Sequence, residues 1–168
     1  MKEDIASHIR LKSITKDDFI SVLSWSQDEG FCLANDWEIN KDYDELFNWW
    51  LNCVNDERLD FIRLGIEYKD KIVGYADLTS ISDHTAEIGM AIGDSALWGQ
   101  GLGHAAALHI LDYGSKELGI NIFYAETMED NLRSQGLLKK LGFLEISRSK
   151  IQEDEEKRPQ SIRYKLIL

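Results

Sequence analysis

Five of the 12 glycines crowd into one short window, at positions 89, 93, 99, 101 and 103. The densest part is Trp98-Gly-Gln-Gly-Leu-Gly-His-Ala105, set between a strand-like run and a helix-like run. Glycine adopts positive φ without strain and lets main-chain N–H groups approach a ligand unobstructed by Cβ. The first amides of the following helix have no intrahelical partner. Turn and helix start therefore converge on one point and form an anion site, for which a diphosphate is the natural guest. The competing account is a glycine-rich turn with no ligand.

Two other phosphate motifs compete for these residues. The nucleoside-triphosphate loop fails, because no Gly-Lys-Ser/Thr follows. Gly101-Leu-Gly-His-Ala-Ala106 fits the dinucleotide fingerprint, with Glu126 about 20 residues on, where a ribose-binding acid belongs. Against it, Gly93 to Trp98 separates the glycines from their strand, and little chain remains after Glu126 for further parallel units.

The elements that must position this turn follow from periodicity. Ile9 and Leu11 mark a first strand, and Thr15-Lys-Asp-Asp18 reads as a capping box ahead of Phe19, Val22 and Leu23 at helical spacing. Tyr43, Leu46, Phe47, Trp50, Leu51 and Val54 form one stripe of a second helix. The segment 27–40 between them reads as irregular. Strands are expected over 61–68 and 72–78, joined by Lys69-Asp-Lys71, and a third over 86–92. Ala107, Leu108, Leu111, Ser115 and Leu118 then line a helix that Gly119 can end in the left-handed conformation. A strand over 120–127 follows. Asn131 can cap a helix carrying Leu137, Leu138 and Leu141, and two strands close the chain around the charged loop 152–158, with Glu153–Glu156 at its tip. This order predicts an α/β (α+β) fold, with a mixed, largely antiparallel sheet of about seven strands and about four helices. With 168 residues and no linker or repeat, a single domain over 1–168 is expected.

Nineteen basic residues against 30 acidic ones leave a formal net charge of −11. That balance argues against nucleic acid or an anionic membrane as partner, since both require a basic face. It suits a cationic substrate, although solubility alone accounts for it. Cys32 and Cys53 have neither disulfide nor metal spacing and read as buried thiols; no metal site is expected. The charged start MKEDIASHIR lacks the apolar run of a secretory signal, and no stretch approaches a membrane span, so a cytoplasmic location is expected.

Glu87-Ile-Gly-Met-Ala-Ile92, Trp98 to Gly103, Asn131-Leu-Arg-Ser134 and Leu141-Gly-Phe143 together resemble, in order and spacing, the GNAT superfamily of N-acetyltransferases. The branch most similar includes the ribosomal-protein N-terminal acetyltransferases. The resemblance implies acetyl-CoA as co-substrate, with its diphosphate on the amides of Gly99, Gln100, Gly101, Leu102, Gly103 and His104. Trp98 stands where the family motif has Gln or Arg. Met90, Ala91 and Ile92 are implicated in pairing with the pantetheine arm, and Asn131 in contacting it. Asn131 serves equally as a plain helix cap. Arg133, Lys139 and Lys140 either help neutralise phosphate or form an ordinary solvated face.

The implied reaction is direct attack of an amine on the thioester carbonyl, polarised by a strand amide at Met90 or Ala91. Deprotonating a lysine-like amine at pH 7 costs about 4.6 kcal/mol, and an α-amine only about 1.1 kcal/mol. A general base matters less for a peptide N-terminus than for a side-chain amine. Glu87 is the candidate base and acceptor-binding residue, or else a strand-surface glutamate. Ser134 resembles the serine near the cofactor sulfur and is the candidate that steadies the departing thiolate. The tyrosine acid common in the family falls on Leu138, which leaves a non-catalytic acyl-CoA-binding module as the alternative. Trp25, Phe31 and Trp37, among Asp28, Glu29, Asp36 and Glu38, either hold an ammonium group or form core. The acceptor is expected to be a small cationic amine or a peptide N-terminus. Homodimers are frequent in the family.

Overall fold

Lys69 and Asp70 both take positive φ, 51° and 60°, and form the two-residue turn whose twist matches a right-handed hairpin. The hairpin joins β2 (Ile62–Tyr68) to β3 (Lys71–Ser82), so Lys71 belongs to a strand and not to the turn. The computed structural model describes residues 4–149 and 159–168. The expected loop 152–158, with its acidic tip, lies outside the described residues. The other strands are β1 (Ile9–Ser13), β4 (Thr85–Ile92), β5 (Ile122–Met128), β6 (Leu144–Arg148) and β7 (Ser161–Ile167). All seven form one sheet in the order β1-β2-β3-β4-β5-β7-β6. Every neighbouring pair is antiparallel except β4 and β5.

Among the described residues there are five α-helices: α1 (Phe19–Ser26), α2 (Glu29–Asn35), α3 (Tyr43–Val54), α4 (Leu102–Leu118) and α5 (Leu132–Lys140). Asp18 prepares α1 by accepting from the Thr15 N–H at 2.8 Å and the Thr15 hydroxyl at 3.2 Å. Within the segment expected to be irregular lies α2. It starts because the Asp28 carboxylate caps the Phe31 N–H, and it ends at Asp36 in the left-handed region. It is too short to show a stripe, and Gly30 lowers its propensity.

Helix α4 also differs from its expected face. Leu108 is 49% exposed, while Leu102, Ala105, Ala106, Ile110, Leu111 and Gly114 are buried. The small residues let the helix lie close on the sheet, and Gly119 ends it at φ 68° as anticipated.

Each sheet face carries its own core. Ile66, Leu78, Ile110, Phe123, Ile162 and Tyr164 fill the layer under α4 and α5. Phe19, Val22, Trp25, Phe31, Leu46 and Trp50 fill the layer under α1 to α3. Full burial of each large aliphatic or aromatic group contributes about 1.5–3 kcal/mol. The second layer also holds a nearly buried ion pair, in which Arg63 donates twice to Asp77 at 2.8 and 2.7 Å and stacks on Tyr75 at 4.2 Å. Burial pushes the Tyr75 hydroxyl up to about 12.

Candidate active site

The sheet forks at the parallel seam between β4 and β5. Strands β4 and β5 pair only over Thr85–Ile122, Ala86–Phe123 and Glu87–Tyr124, whereas β4 stays paired with β3 as far as Ile92. Beyond Glu87 the two strands diverge. The Gly93 N–H donates to Val73 at 2.7 Å, which sets the antiparallel alternation. Ala91 therefore turns its N–H toward β3, while Met90 and Ile92 turn theirs toward the gap. A cleft of about 290 Å³ opens there, lined by Met90, Ala91 and Ile92 on one side.

The glycine turn forms the cleft's floor. Gly99 and Gly101 have φ of 76° and 91°, and a Cβ on either would meet nothing within 4 Å. Their requirement is therefore conformational, since an L side chain is strained in that region. No side chain caps α4, so its first amides, at Leu102, Gly103 and His104, open onto the cleft. Gln100 turns its amide back to the Ala96 carbonyl at 3.0 Å and, alone of the expected residues 99 to 104, lies outside the cleft lining. Trp98 donates its indole N–H to the Ile92 carbonyl at 3.0 Å, and the Arg133 guanidinium lies 3.6 Å from its ring centre.

Helix α5 makes the facing wall. Asn131 accepts from the Ser134 N–H at 3.1 Å, so it is a helix cap, and both residues line the cleft. Leu138 is 7% exposed in the core and offers no proton donor. Among the described residues no carboxylate lines the cleft, although acids dominate the chain; His104, Arg133 and Lys140 do. Burial lowers the His104 imidazole below its ordinary value, helped by the Lys140 charge, and burial also lowers Arg133.

A carboxylate staple ties α2 to this floor. Asp28 accepts from the Phe31 N–H at 2.9 Å, the Ser95 N–H at 2.9 Å and the Ser95 hydroxyl at 2.8 Å. Ser95 begins the 3-10 turn that leads into Trp98, and Ala34 and Asn35 at the far end of α2 line the cleft. Burial raises the Asp28 carboxyl, but hydrogen bonds from Phe31 and Ser95 outweigh it and hold the group below its ordinary range.

Not every expected residue reaches the cleft. Trp25 and Phe31 are 3% and 0% exposed, so they are core and present no surface to an acceptor. Trp25 presses on Gly93, where a Cβ would fall 2.2 Å from the indole. Trp37 is half-buried between Phe31 and Trp49, with ring centres 4.9 and 5.2 Å away. Glu87 is the last β4 residue paired with β5, and its carboxylate lies 3.5 Å from Arg163, outside the cleft lining. Sequence reasoning missed Ala34 and Asn35, because it missed their helix. Of the three bases weighed for the phosphate, Arg133 and Lys140 line the cleft, and Lys139 lies outside its lining.

Both cysteines are free. Cys32 is buried and donates to the Trp25 and Ser26 carbonyls; burial raises both thiols, and Cys53 receives an N–H from Arg63 at 3.3 Å. Neither is a poised nucleophile. Among the described residues no group of three metal-ligating side chains occurs, and no helix is long and apolar enough to cross a membrane.

Comparison with known proteins agrees with this geometry. Residues 8–144 match the family model described as an acetyltransferase (GNAT) domain. An uncharacterised protein of Methanocaldococcus jannaschii is 28% identical over 141 residues, 82% of this chain and 28% of that protein. The chain spans about a quarter to a third of the length of the curated relatives it matches. Among solved structures, a ribosomal L7/L12 alpha-N-protein acetyltransferase in complex with coenzyme A superposes with a TM-score of 0.82 at 15% identity, covering 98% of this chain and 96% of that one. A spermidine N-acetyltransferase from Vibrio cholerae, in complex with CoA and spermine, gives 0.78 at 19% identity, covering 96% of each chain. The fork in the sheet, the glycine turn and the matched family model lead to one conclusion: this chain belongs to the GNAT acetyltransferases.

Proposed function

We propose that this chain transfers the acetyl group of acetyl-CoA to a primary amine, either a small cationic amine or a peptide N-terminus. The observation that carries the reading is a cleft with free main-chain amides and three basic side chains, and no carboxylate among its described lining residues. Such a site fits a diphosphate, and the unpaired edge of β4 fits the amide-bearing pantetheine arm. When bound, acetyl-CoA supplies an activated acyl group on a thiol of ordinary pKa near 8.5, a fair leaving group. The chain's own residues do the rest. Gly99 to His104 hold the phosphates by their amides. The Met90 N–H, turned into the gap, polarises the thioester carbonyl. Asn131 and Ser134 face the arm, and the Ser134 hydroxyl steadies the departing thiolate.

Glu87, at the fork, draws the acceptor's ammonium group and takes its proton through water. Arg163 at 3.5 Å keeps that carboxylate oriented. Trp37 is the one aromatic of the expected acceptor set that keeps an exposed part. The ribosomal L7/L12 acetyltransferase and the spermine-bound spermidine acetyltransferase superpose about equally well, which supports either acceptor class.

The alternative is an acyl-CoA-binding module without catalysis, which the buried Leu138 favours. Thiol release with acetyl-CoA, measured across polyamines, amino acids, aminoglycosides and peptide N-termini, separates the two. Turnover with any amine supports the enzyme. Tight binding of acetyl-CoA with no release across the panel supports the module.

A further inference from the structure

Among the cleft's bases, Arg133 has a construction the others lack. Its guanidinium carbon lies 3.6 Å from the Trp98 ring centre, closer than any other cation–ring contact among the described residues. The ring beneath is fixed, because the indole N–H is tied to Ile92, the last residue of β4. No acidic side chain among the described residues pairs with Arg133, although Asp and Glu outnumber Lys and Arg 30 to 19. A planar guanidinium laid on an indole keeps its in-plane N–H donors free for a bidentate acceptor. Trp98 is also the residue from which the glycine turn departs.

We infer that Arg133, carried on the Trp98 ring, is the cation that clasps the cofactor's diphosphate, and that Trp98 is a shelf for it. The inference rests on the acetyl-CoA reading above and deepens it. The turn supplies amides from one side of the phosphates, and Arg133 supplies a full charge from the α5 side. Trp98 acts through Arg133 and is a positioning residue; Arg133 touches the ligand. Helix α5 thus contributes to cofactor binding by a side chain outside the Asn131–Ser134 pair.

Calorimetric titration of acetyl-CoA and of its 3′-dephospho analogue into the whole chain tests this. Arg133→Ala is expected to weaken both ligands by the same factor, about tenfold for one lost charge-assisted contact at a partly exposed site. It also flattens the salt dependence of binding. Arg133→Lys restores the salt dependence but only part of the affinity, because an ammonium group cannot bind bidentately. Trp98→Ala weakens binding as well, and combining it with Arg133→Ala adds little. If Trp98→Ala does not fold, the two Arg133 variants decide the matter alone.

Unchanged affinity in Arg133→Ala, with the wild type binding normally, overturns the inference and leaves the acetyl-CoA reading standing. A loss seen with acetyl-CoA but absent with the dephospho analogue overturns the diphosphate assignment in favour of the 3′-phosphate. Failure of the wild type to bind either ligand overturns the acetyl-CoA reading and this inference together.

Discussion

Asp28→Asn should loosen the connection between α2 and the cofactor turn. The wild-type carboxylate takes three hydrogen bonds, one from Phe31 and two from Ser95. The asparagine oxygen can keep the Phe31 bond. Its NH₂ group then faces the Ser95 N–H, donor against donor, while the Ser95 hydroxyl can turn and accept. One charge-assisted bond is lost outright, which at a half-exposed site amounts to about 1.5 kcal/mol. For a chain of this size that lowers Tm by about 3–6 °C. The lost bond also frees the lead-in to Trp98, so acetyl-CoA affinity should fall several-fold.

The pH dependence has a definite sign. The Asp28 carboxyl is held below its ordinary value, so its contribution is complete above the unfolded value of about 3.9. It is lost as pH falls through the lower folded value. The stability gap between wild type and Asp28→Asn should therefore hold steady from about pH 5 to 8 and close in acid below about pH 4. Urea unfolding at a series of pH values measures this gap. Equal stability at pH 7, or a gap that persists unchanged well below pH 4, would refute the staple.

Two glycine variants should separate packing from chemistry. Gly93→Ala puts a methyl group 2.2 Å from the Trp25 indole and should lower the melting temperature by several degrees, the effect of about 1–3 kcal/mol of overpacking. Gly101→Ala meets nothing within 4 Å and should cost only about 1–2 kcal/mol of backbone strain, while titration shows a larger loss of acetyl-CoA affinity. Ser134→Ala should lower kcat more than it weakens cofactor binding; steady-state kinetics beside calorimetry read the split, and an effect on binding alone contradicts its role. Asp77→Ala strips the nearly buried Arg63 of its bidentate partner and should destabilise the fold by about 3–5 kcal/mol in urea titration.

What could be read from the residues was what is local. The glycine turn, the Asn131 cap and the Gly119 terminus each depend on a few neighbouring positions, and the structure has each of them. The order of strands was legible because hydrophobic runs and turn residues mark it. Helix α2 was not legible, because its start depends on one capping carboxylate and its seven residues are too few to show a period. For Trp25 and Phe31 the residues left two readings open, binding surface or core, for a different reason. Aromatic groups beside carboxylates look the same in a binding pocket and in a core, and only the opposing strands, through Gly93 and Tyr75, decide which. The Arg133–Trp98 stack joins residues far apart in the chain and leaves no local signature.

The fork in the sheet has a mechanical consequence. Only three residue pairs zip the first four strands to the last three, so this seam is where the molecule should breathe first. A pantetheine arm lying against β4 would bridge the opening like a patch across a tear. By linkage, saturation at a hundred times the dissociation constant adds about 2.7 kcal/mol to the folded state. Amide exchange should slow most at Ile88, Met90 and Ile92, so the resilience of the scaffold would rise and fall with the supply of its own coenzyme.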